Sequence, residues 1–159
     1  RRPGFSPWSI TGEFPMNQIQ EQIPVSVSLV ADDNRLDFLP TFFTPRLMMR
    51  GEALVYAWMS RLSGDYKGGY WHFYALSNGG FYLAPALESP MRVAVAGNWF
   101  EGELSADAAG VVATLFALGQ LAADVQGTEA GDVLIDRYYF LRDFAAEHAE
   151  GPAIFRAID

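Results

Sequence analysis

Residues 65–85 have the sequence DYKGGYWHFYALSNGGFYLAP, in which two aromatic runs flank the polar turn Ser77-Asn78-Gly79-Gly80. The first run, residues 70–76, is rich in side chains that fit the pleated surface of a strand. An Asn-Gly pair supplies the positive φ angles that tight hairpin turns require. This stretch therefore predicts a β-hairpin over about residues 70–84, with residues 65–69 as the loop that leads into it.

The segments on either side of the hairpin extend the predicted sheet. Residues 23–30 alternate apolar side chains with serines, and a period of two is typical of a strand. Residues 91–96 predict a strand that is joined to the hairpin through two prolines, and residues 99–104 predict a further one. We therefore expect a small antiparallel sheet of three to four strands around the central hairpin.

Helical periodicity marks the remaining segments. Apolar spacing predicts helices at residues 32–38, 51–62, 105–124 and 132–148, and Gly151-Pro152 is expected to start a last turn that carries Ile154, Phe155 and Ile158. Pro40 and Pro45 predict a loop that contains Phe42 and Phe43, since proline removes a helical hydrogen bond. Strands in the middle of the chain and helices at both sides predict the α+β class, with helices covering one face or end of the sheet.

The first fifteen residues, RRPGFSPWSITGEFP, carry three prolines and two glycines without helical or strand periodicity. They also lack the apolar core of a signal peptide. Because Met16 follows directly, we expect residues 1–15 to be an added, vector-derived segment or a loose arm. Residues 16–159 then form one domain, whose size a single core supports.

The net charge of -8 is unevenly distributed. Residues 1–100 carry 8 acidic and 8 basic side chains, whereas residues 101–159 carry 11 acidic and 3 basic ones. Such a surface repels phosphate backbones, so direct DNA binding is not expected. The longest apolar run, residues 111–125, is interrupted by polar side chains, so no membrane partner is expected. The absence of cysteine excludes disulfides and thiolate chemistry and is compatible with a cytoplasmic location.

Candidate catalytic groups are few. His72 on the predicted hairpin needs a carboxylate within hydrogen-bond reach to act as a general base, and Asp65 is the nearest acid in sequence. His148 is expected to interact with the dipole at a helix C-terminus and with solvent. The spacings of the acidic pairs are typical of solvated side chains. No catalytic residue and no metal ligand is therefore assigned.

The hairpin and its leading loop carry a dense set of aromatic side chains. These are Tyr66, Tyr70, Trp71, Phe73, Tyr74, Phe81 and Tyr82. Alternation along a strand sends about half of them to each face of the sheet. Core packing is the favoured interpretation, and an exposed aromatic edge would instead indicate a protein-contact surface.

Four separated blocks of the sequence resemble the antirestriction proteins of the ArdB/KlcA family. The hairpin stretch is similar to the family's core D-Y-x-G-G-x-W-x-F-Y-x-L-S-N-G-G. This first block includes W-M-x-R-L at residues 58–62, and three further blocks follow, L-S-A-D-A-A-G at 104–110, Y-Y-x-L-R-D at 138–143 and A-I-x-x-A-I-D at 153–159. The blocks occur in the family's order, and the likeness covers nearly everything after about Val30.

The resemblance implies a small α+β protein, carried on mobile DNA, that relieves type I restriction in the cytoplasm. It implies no enzymatic activity and no cofactor, and a mechanism different from that of antirestriction proteins that imitate the DNA duplex. The charge agrees, because an imitator of B-DNA needs about one negative charge per ~1.7 Å of length, which a net -8 on a compact domain does not reach.

The first hypothesis is therefore an interaction protein that interferes with the type I restriction-modification complex or with an accessory host protein. The candidate contact residues are Asp65, Tyr66, Lys67, Ser77, Asn78, Arg142 and Asp143. The alternative is a hydrolase or ligand-binding domain that uses His72 and a nearby carboxylate in an open cleft. A third hypothesis is an acidic competitor for a DNA-binding groove, built from the C-terminal third of the chain.

Overall fold

The computed structural model of the protein describes residues 23–159, so the predictions for residues 1–15 and for Met16 lie outside the described residues. The strands are β1 (Val27–Leu29), β2 (Trp71–Leu76), β3 (Phe81–Pro85), β4 (Met91–Val95) and β5 (Phe100–Leu104). The helices are a 3-10 helix (Asp32–Asn34), α1 (Arg35–Phe43), α2 (Met48–Leu62), α3 (Ala106–Asp124), α4 (Glu129–Glu147) and α5 (Gly151–Ile158). The predicted α+β class is confirmed.

The predicted hairpin is present as β2 and β3, which pair antiparallel with Phe73 opposite Leu83. The turn closes with Gly79 at φ 95°, a value that glycine adopts without steric cost. β1 adds the third strand on the other side of β2. The central hairpin and a three-stranded sheet follow the prediction.

The strands β4 and β5 pair with each other in a separate two-stranded sheet instead of extending the first one. The reason lies at the free edge of β3, which helix α3 covers. The Thr114 hydroxyl of α3 accepts a hydrogen bond from the Leu83 N–H at 3.2 Å and donates one to the Leu83 carbonyl at 3.4 Å. The outward-facing backbone groups of Leu83 are thereby satisfied without a fourth strand.

Helix α3 is the centre of the core. Ser105 caps its N-terminus by accepting a hydrogen bond from the Ala108 N–H at 3.0 Å, as the sequence predicts. A Cβ atom at Gly110 would lie 2.4 Å from the Leu83 carbonyl oxygen, so glycine permits the close approach of α3 to β3. By length and composition α3 could cross a membrane, but it is mostly buried here, as core helices of soluble proteins are.

The predicted loop around Pro40 is wrong, because Pro40, Phe42 and Phe43 all lie within α1. Phe42 and Phe43 pack against the ring of Phe81, with ring centroids 5.0 and 4.9 Å apart. Burial of one such ring contributes about 2–3 kcal/mol. Two rings therefore offset the helix penalty of about 3 kcal/mol for an internal proline.

The long C-terminal helix begins earlier than the sequence predicts. Thr128 caps α4 by accepting a hydrogen bond from the Gly131 N–H at 3.0 Å, so the helix starts at Glu129 and not at Asp132. Its inner side packs on α3 and on the short helix α5. Both capping side chains thus set where a helix starts.

Candidate functional site

The turn of the hairpin is held from within the molecule. The Asn78 amide donates a hydrogen bond to the Phe140 carbonyl of α4 at 2.9 Å, and its oxygen accepts one from the Gly80 N–H at 3.0 Å. The Ser77 hydroxyl accepts a hydrogen bond from the Ser26 N–H at 2.9 Å and so fastens the segment before β1. Both predicted contact residues therefore have an internal structural role.

The loop that leads into the hairpin also bonds internally. The Asp65 carboxylate accepts a hydrogen bond from the Arg92 N–H at 2.8 Å, which ties the loop to β4. The Tyr66 hydroxyl accepts one from the Trp71 indole at 3.0 Å. Lys67 is exposed, and no hydrogen bond or ion pair of its side chain occurs among residues 23–159.

Arg142 and Asp143 of α4 face different surroundings. The Arg142 guanidinium lies 3.5 Å from the Asp159 carboxylate, 3.3 Å from the Tyr138 hydroxyl and 5.0 Å from the centroid of the Phe155 ring. It therefore fastens the end of α5 to α4. Asp143 is exposed, and within the described part of the chain its carboxylate has no partner. Partner binding at the seven candidate residues stays a prediction.

Most of the hairpin's aromatic rings pack into the core, as the favoured interpretation predicts. Trp71, Phe73, Phe81 and Tyr82 are at most 5% exposed. Tyr70 is the exception, with 55% of its surface exposed. An aromatic contact surface on the hairpin itself is thus limited to this ring.

A partly buried polar cluster at the N-terminus of α3 has no counterpart in the sequence predictions. We call it the Asp107 cluster, and its members are Tyr82, Ser105, Asp107, His148 and Glu150. The Asp107 carboxylate accepts a hydrogen bond from the Tyr82 hydroxyl at 2.7 Å, and its other oxygen lies 2.7 Å from His148 Nε2. Glu150 accepts hydrogen bonds from the N–H and the hydroxyl of Ser105. The prediction that His148 contacts solvent is therefore wrong, since its side chain is only 10% exposed.

The hydrogen bonds of His148 leave no nitrogen free for proton transfer. Nδ1 accepts a hydrogen bond from the Glu150 N–H at 2.9 Å, so Nε2 carries the proton and donates to Asp107. In a catalytic triad the second imidazole nitrogen faces the nucleophile. Here a backbone amide occupies that position, which gives the pair a structural role.

The cluster also shifts the acidity of its members. Burial raises the pKa of the Asp107 carboxyl, but the hydrogen bonds from His148 and Tyr82 outweigh it and hold that pKa below its usual value. Burial and the hydrogen bond to Asp107 raise the pKa of the Tyr82 hydroxyl well above its usual value. Both shifts favour a neutral tyrosine donating to a charged carboxylate.

His72 lies half-buried on β2, at one side of a shallow cleft of about 260 Å³ that Asp107 also lines. The imidazole is flanked by the rings of Tyr70 and Tyr74, at centroid distances of 5.7 and 6.1 Å. No hydrogen bond to it occurs within residues 23–159, and Asp65 bonds to β4 instead. Both oxygens of Asp107 are already bonded within its cluster. Glu88 also lines the cleft, but no hydrogen bond joins it to His72, so the bonded pair of histidine and carboxylate that the hydrolase alternative requires is not formed among the described residues.

Metal binding has no support among residues 23–159, where no three histidine, aspartate or glutamate side chains come together in a group that could hold an ion. The sequence could not reveal the Asp107 cluster, because 41 positions separate Asp107 from His148. Each residue alone fits a local role at a helix end.

The outer side of α4 borders a concave, mostly apolar surface, next to a larger hollow of about 510 Å³ between Trp58, Trp99 and Phe116. A groove of about 420 Å³ lies between α2, α3 and α4, and its walls include Trp58, Phe116, Tyr138 and Tyr139. A second hollow of about 440 Å³ continues it past Gly119 and Ile135 to Asp132. We call the two together the α3–α4 groove. Sequence reasoning named Asp143 on this helix and missed the aromatic wall, which three helices build together.

Comparisons with known proteins place the chain in a family. The family model of antirestriction proteins matches residues 64–159. Two KlcA antirestriction proteins of Escherichia coli are 69% identical over 136 residues, covering 86% of this chain and 96% of the relative, and 58% identical over 146 residues, covering 91% and 100%.

A solved structure superposes with a TM-score of 0.81 at 69% identity and covers 86% of this chain and 96% of that one. The report of that structure describes KlcA and ArdB as having a novel fold and antirestriction activity against type I DNA restriction systems in vivo but not in vitro. The resemblance seen in the four sequence blocks is thus confirmed, and the chain belongs to the antirestriction protein family.

Proposed function

We propose that this protein relieves type I restriction of incoming mobile DNA by non-enzymatic contact with the restriction-modification complex or with an accessory host protein. The observation that carries the proposal is the 69% identity to KlcA over 86% of the chain, together with the common fold. We further propose that it acts in the cytoplasm, without a cofactor.

The polar groups of the molecule support contact in preference to catalysis. Both nitrogens of His148 are engaged, and His72 has no carboxylate partner. The activity ascribed to KlcA and ArdB in vivo but not in vitro supports a further cellular component in the inhibited assembly. An accessory host protein, or a complex assembled only in cells, fits that difference.

A phage-plating assay tests the proposal. Unmodified phage is plated on cells with and without a type I restriction system, each with and without this protein. We expect the protein to raise plating at least tenfold in restricting cells and to have no effect in the others. Equal plating with and without the protein in restricting cells would reject the function.

Two variants separate contact from catalysis in the same assay. His72→Ala removes the one imidazole in the open cleft, and we expect it to protect phage as well as the wild type. Loss of protection in a His72→Ala protein that keeps the wild-type melting temperature would favour the hydrolase alternative. Asp143→Asn tests one exposed candidate contact without altering the shape of the side chain.

A further inference from the structure

We infer that the α3–α4 groove is the docking site for a protein segment that pairs an apolar side chain with lysine or arginine. The inference rests on the proposed function, since it names the surface and the chemistry of the partner through which contact would be made. It is carried by the shape of the groove, by its stiff aromatic wall and by the charge at one of its ends.

The groove is preformed. The Trp58 and Phe116 rings stack at 4.6 Å with an interplanar angle of 15°. The Trp58 indole donates a hydrogen bond to the Gln120 side chain at 3.0 Å, and the Arg61 guanidinium lies 4.3 Å from the centroid of a Trp58 ring. An aromatic wall fixed in this way loses little side-chain entropy when a ligand binds.

The α4 side of the groove exposes apolar surface that nothing in the described chain covers. Ile135 and Tyr139 lie one helical turn apart and are 45% and 57% exposed. Gly119 of α3 has no side chain between them and the groove floor, which keeps the depression open. Exposed tyrosine beside a concave apolar surface is the usual composition of an interface centre.

One end of the groove is acidic, whereas Arg61 lies against the Trp58 ring at the opposite wall. Asp132 lines its far end, and Asp136 follows on the exposed side of α4. Neither carboxylate has a hydrogen bond or ion pair within residues 23–159. The nearest cation of α4, Arg137, instead donates to the carbonyl of Gly79 at 2.7 Å. An approaching lysine or arginine would therefore meet carboxylates that no ion pair of the described residues engages.

Charge complementarity decides between possible occupants. Nucleic acid and anionic membranes carry the same sign as the acidic end and are repelled. A second copy of this chain, bound through the same surface, would double the number of carboxylates at the interface without adding a cation from the acidic end. A basic protein segment satisfies both the apolar wall and the acidic end. Asp132 and Tyr139 are seven residues apart, about 10 Å along the helix, which two to three turns of such a segment can span.

The binding experiment uses three labelled helical peptides of 18 residues with leucines at i, i+4 spacing and with lysine, glutamine or glutamate at the polar positions. Fluorescence anisotropy measures the affinity of each for the purified protein at low and high salt. We expect the lysine peptide to bind at least tenfold more tightly than the glutamate peptide, and the difference to shrink as salt is added. No binding of the lysine peptide, or equal affinity for both peptides, overturns the inference.

Matched variants locate the binding. Tyr139→Ala and the pair Asp132→Asn with Asp136→Asn should each lower the affinity for the lysine peptide at least tenfold. The control pair, Asp33→Asn with Glu103→Gln, removes the same charge from exposed positions away from the groove and should leave the affinity within twofold. An equal loss in the control pair would assign the binding to net charge and would overturn the inference.

The phage-plating assay separates this inference from the proposed function. If the wild type protects phage and the groove variants protect equally well, the inference is overturned and the proposed function stands. If the wild type gives no protection, the proposed function fails, and the peptide affinities alone decide whether the groove binds basic segments. Loss of protection in the groove variants but not in the control pair supports both the proposed function and the inference that the groove is the docking site.

Discussion

Helix α4 connects two surfaces that differ in their hydrogen bonding: the polar groups of one have partners within the protein, and those of the other do not. Just beyond its C-terminal end, His148 joins the Asp107 cluster, where every described polar group has a partner. Along its outer side, Asp132, Asp136 and Asp143 have none within residues 23–159, and Tyr139 is 57% exposed. The first surface resembles a small active site in composition, and the second resembles ordinary solvated helix.

The contrast separates chemical composition from availability. The Asp107 cluster contains a carboxylate, an imidazole and a phenol within hydrogen-bond distance, yet its hydrogen bonds are complete without a ligand. The α3–α4 groove contains no reactive group, yet its apolar wall and its carboxylates are unused by the fold. Unused surface is what a binding partner can exploit, so the groove and not the cluster is the better candidate for function.

Breaking the Asp107 cluster should have the largest effect on stability. Asp107→Ala leaves the buried Tyr82 hydroxyl and the His148 Nε2 donor without an acceptor. An unsatisfied buried group costs about 1–3 kcal/mol, and water can reach the place of this carboxylate, whose side chain is 39% exposed, so the free energy of unfolding should fall by about 1–3 kcal/mol. Urea denaturation followed by circular dichroism measures the change.

The control for this substitution is Asp107→Asn, which keeps the shape and one oxygen acceptor. It should cost less than Asp107→Ala, because one of the two donors keeps its bond. If Asp107→Ala were as stable as the wild type, the cluster would be dispensable to the fold and its polar groups would again be candidates for chemistry.

Acid titration should show the contribution of the same carboxylate. The pKa of Asp107 is lowered in the folded state, so the unfolded chain binds a proton first as the pH falls. The stabilisation is therefore fully present above about pH 4, near the unfolded pKa, and is lost as the pH falls through the folded pKa. We expect the stability of Asp107→Asn to depend less steeply on pH than that of the wild type below pH 4. Identical slopes would contradict the lowered pKa.

The parts of the fold that local sequence determines were predictable. The hairpin follows from its Asn-Gly turn and aromatic strands, and α3 follows from the Ser105 cap and an apolar run. The separate placement of β4 and β5 was not predictable. It depends on the hydrogen bond between Thr114 and the Leu83 backbone at the edge of β3, and these residues are 31 positions apart in the chain. The helical conformation at Pro40 could not be predicted either, because packing of the Phe42 and Phe43 rings against Phe81 outweighs the cost of a proline inside a helix.

The candidate site was less predictable than the fold for the same reason. Local pattern identified Asn78 as a turn residue but could not show that its amide reaches the Phe140 carbonyl, 62 positions away. It identified α4 as acidic on one side but could not bring Trp58 and Phe116 beside Tyr139. A groove between three helices has no signature in any one of them, so only the tertiary arrangement reveals it.

The hairpin turn allows a test of which predicted contact residues the fold uses. Asn78→Ala removes hydrogen bonds to the Phe140 carbonyl and from the Gly80 N–H, and should lower the free energy of unfolding by about 1–2 kcal/mol. Lys67→Ala, in the exposed leading loop, should change it by less than about 0.5 kcal/mol. Thermal melting of both proteins gives the comparison, and an equal loss in the two would mean that the turn bonds contribute little.

Substitutions on the outer side of α4 should have the smallest effect on stability and a large one on function. Asp143→Asn removes an exposed charge, and Tyr139→Ala removes a ring that the fold does not bury. Each should therefore change the free energy of unfolding by less than about 1 kcal/mol. Chemical denaturation gives this value and phage plating gives the activity of the same protein samples. A stable Tyr139→Ala protein that no longer protects phage places Tyr139 in a contact surface, because no loss of fold remains to account for the loss of activity. A Tyr139→Ala protein that is both destabilised by several kcal/mol and inactive would instead mean that this tyrosine supports the fold. The contrast between the Asp107 cluster and the outer side of α4 would then disappear.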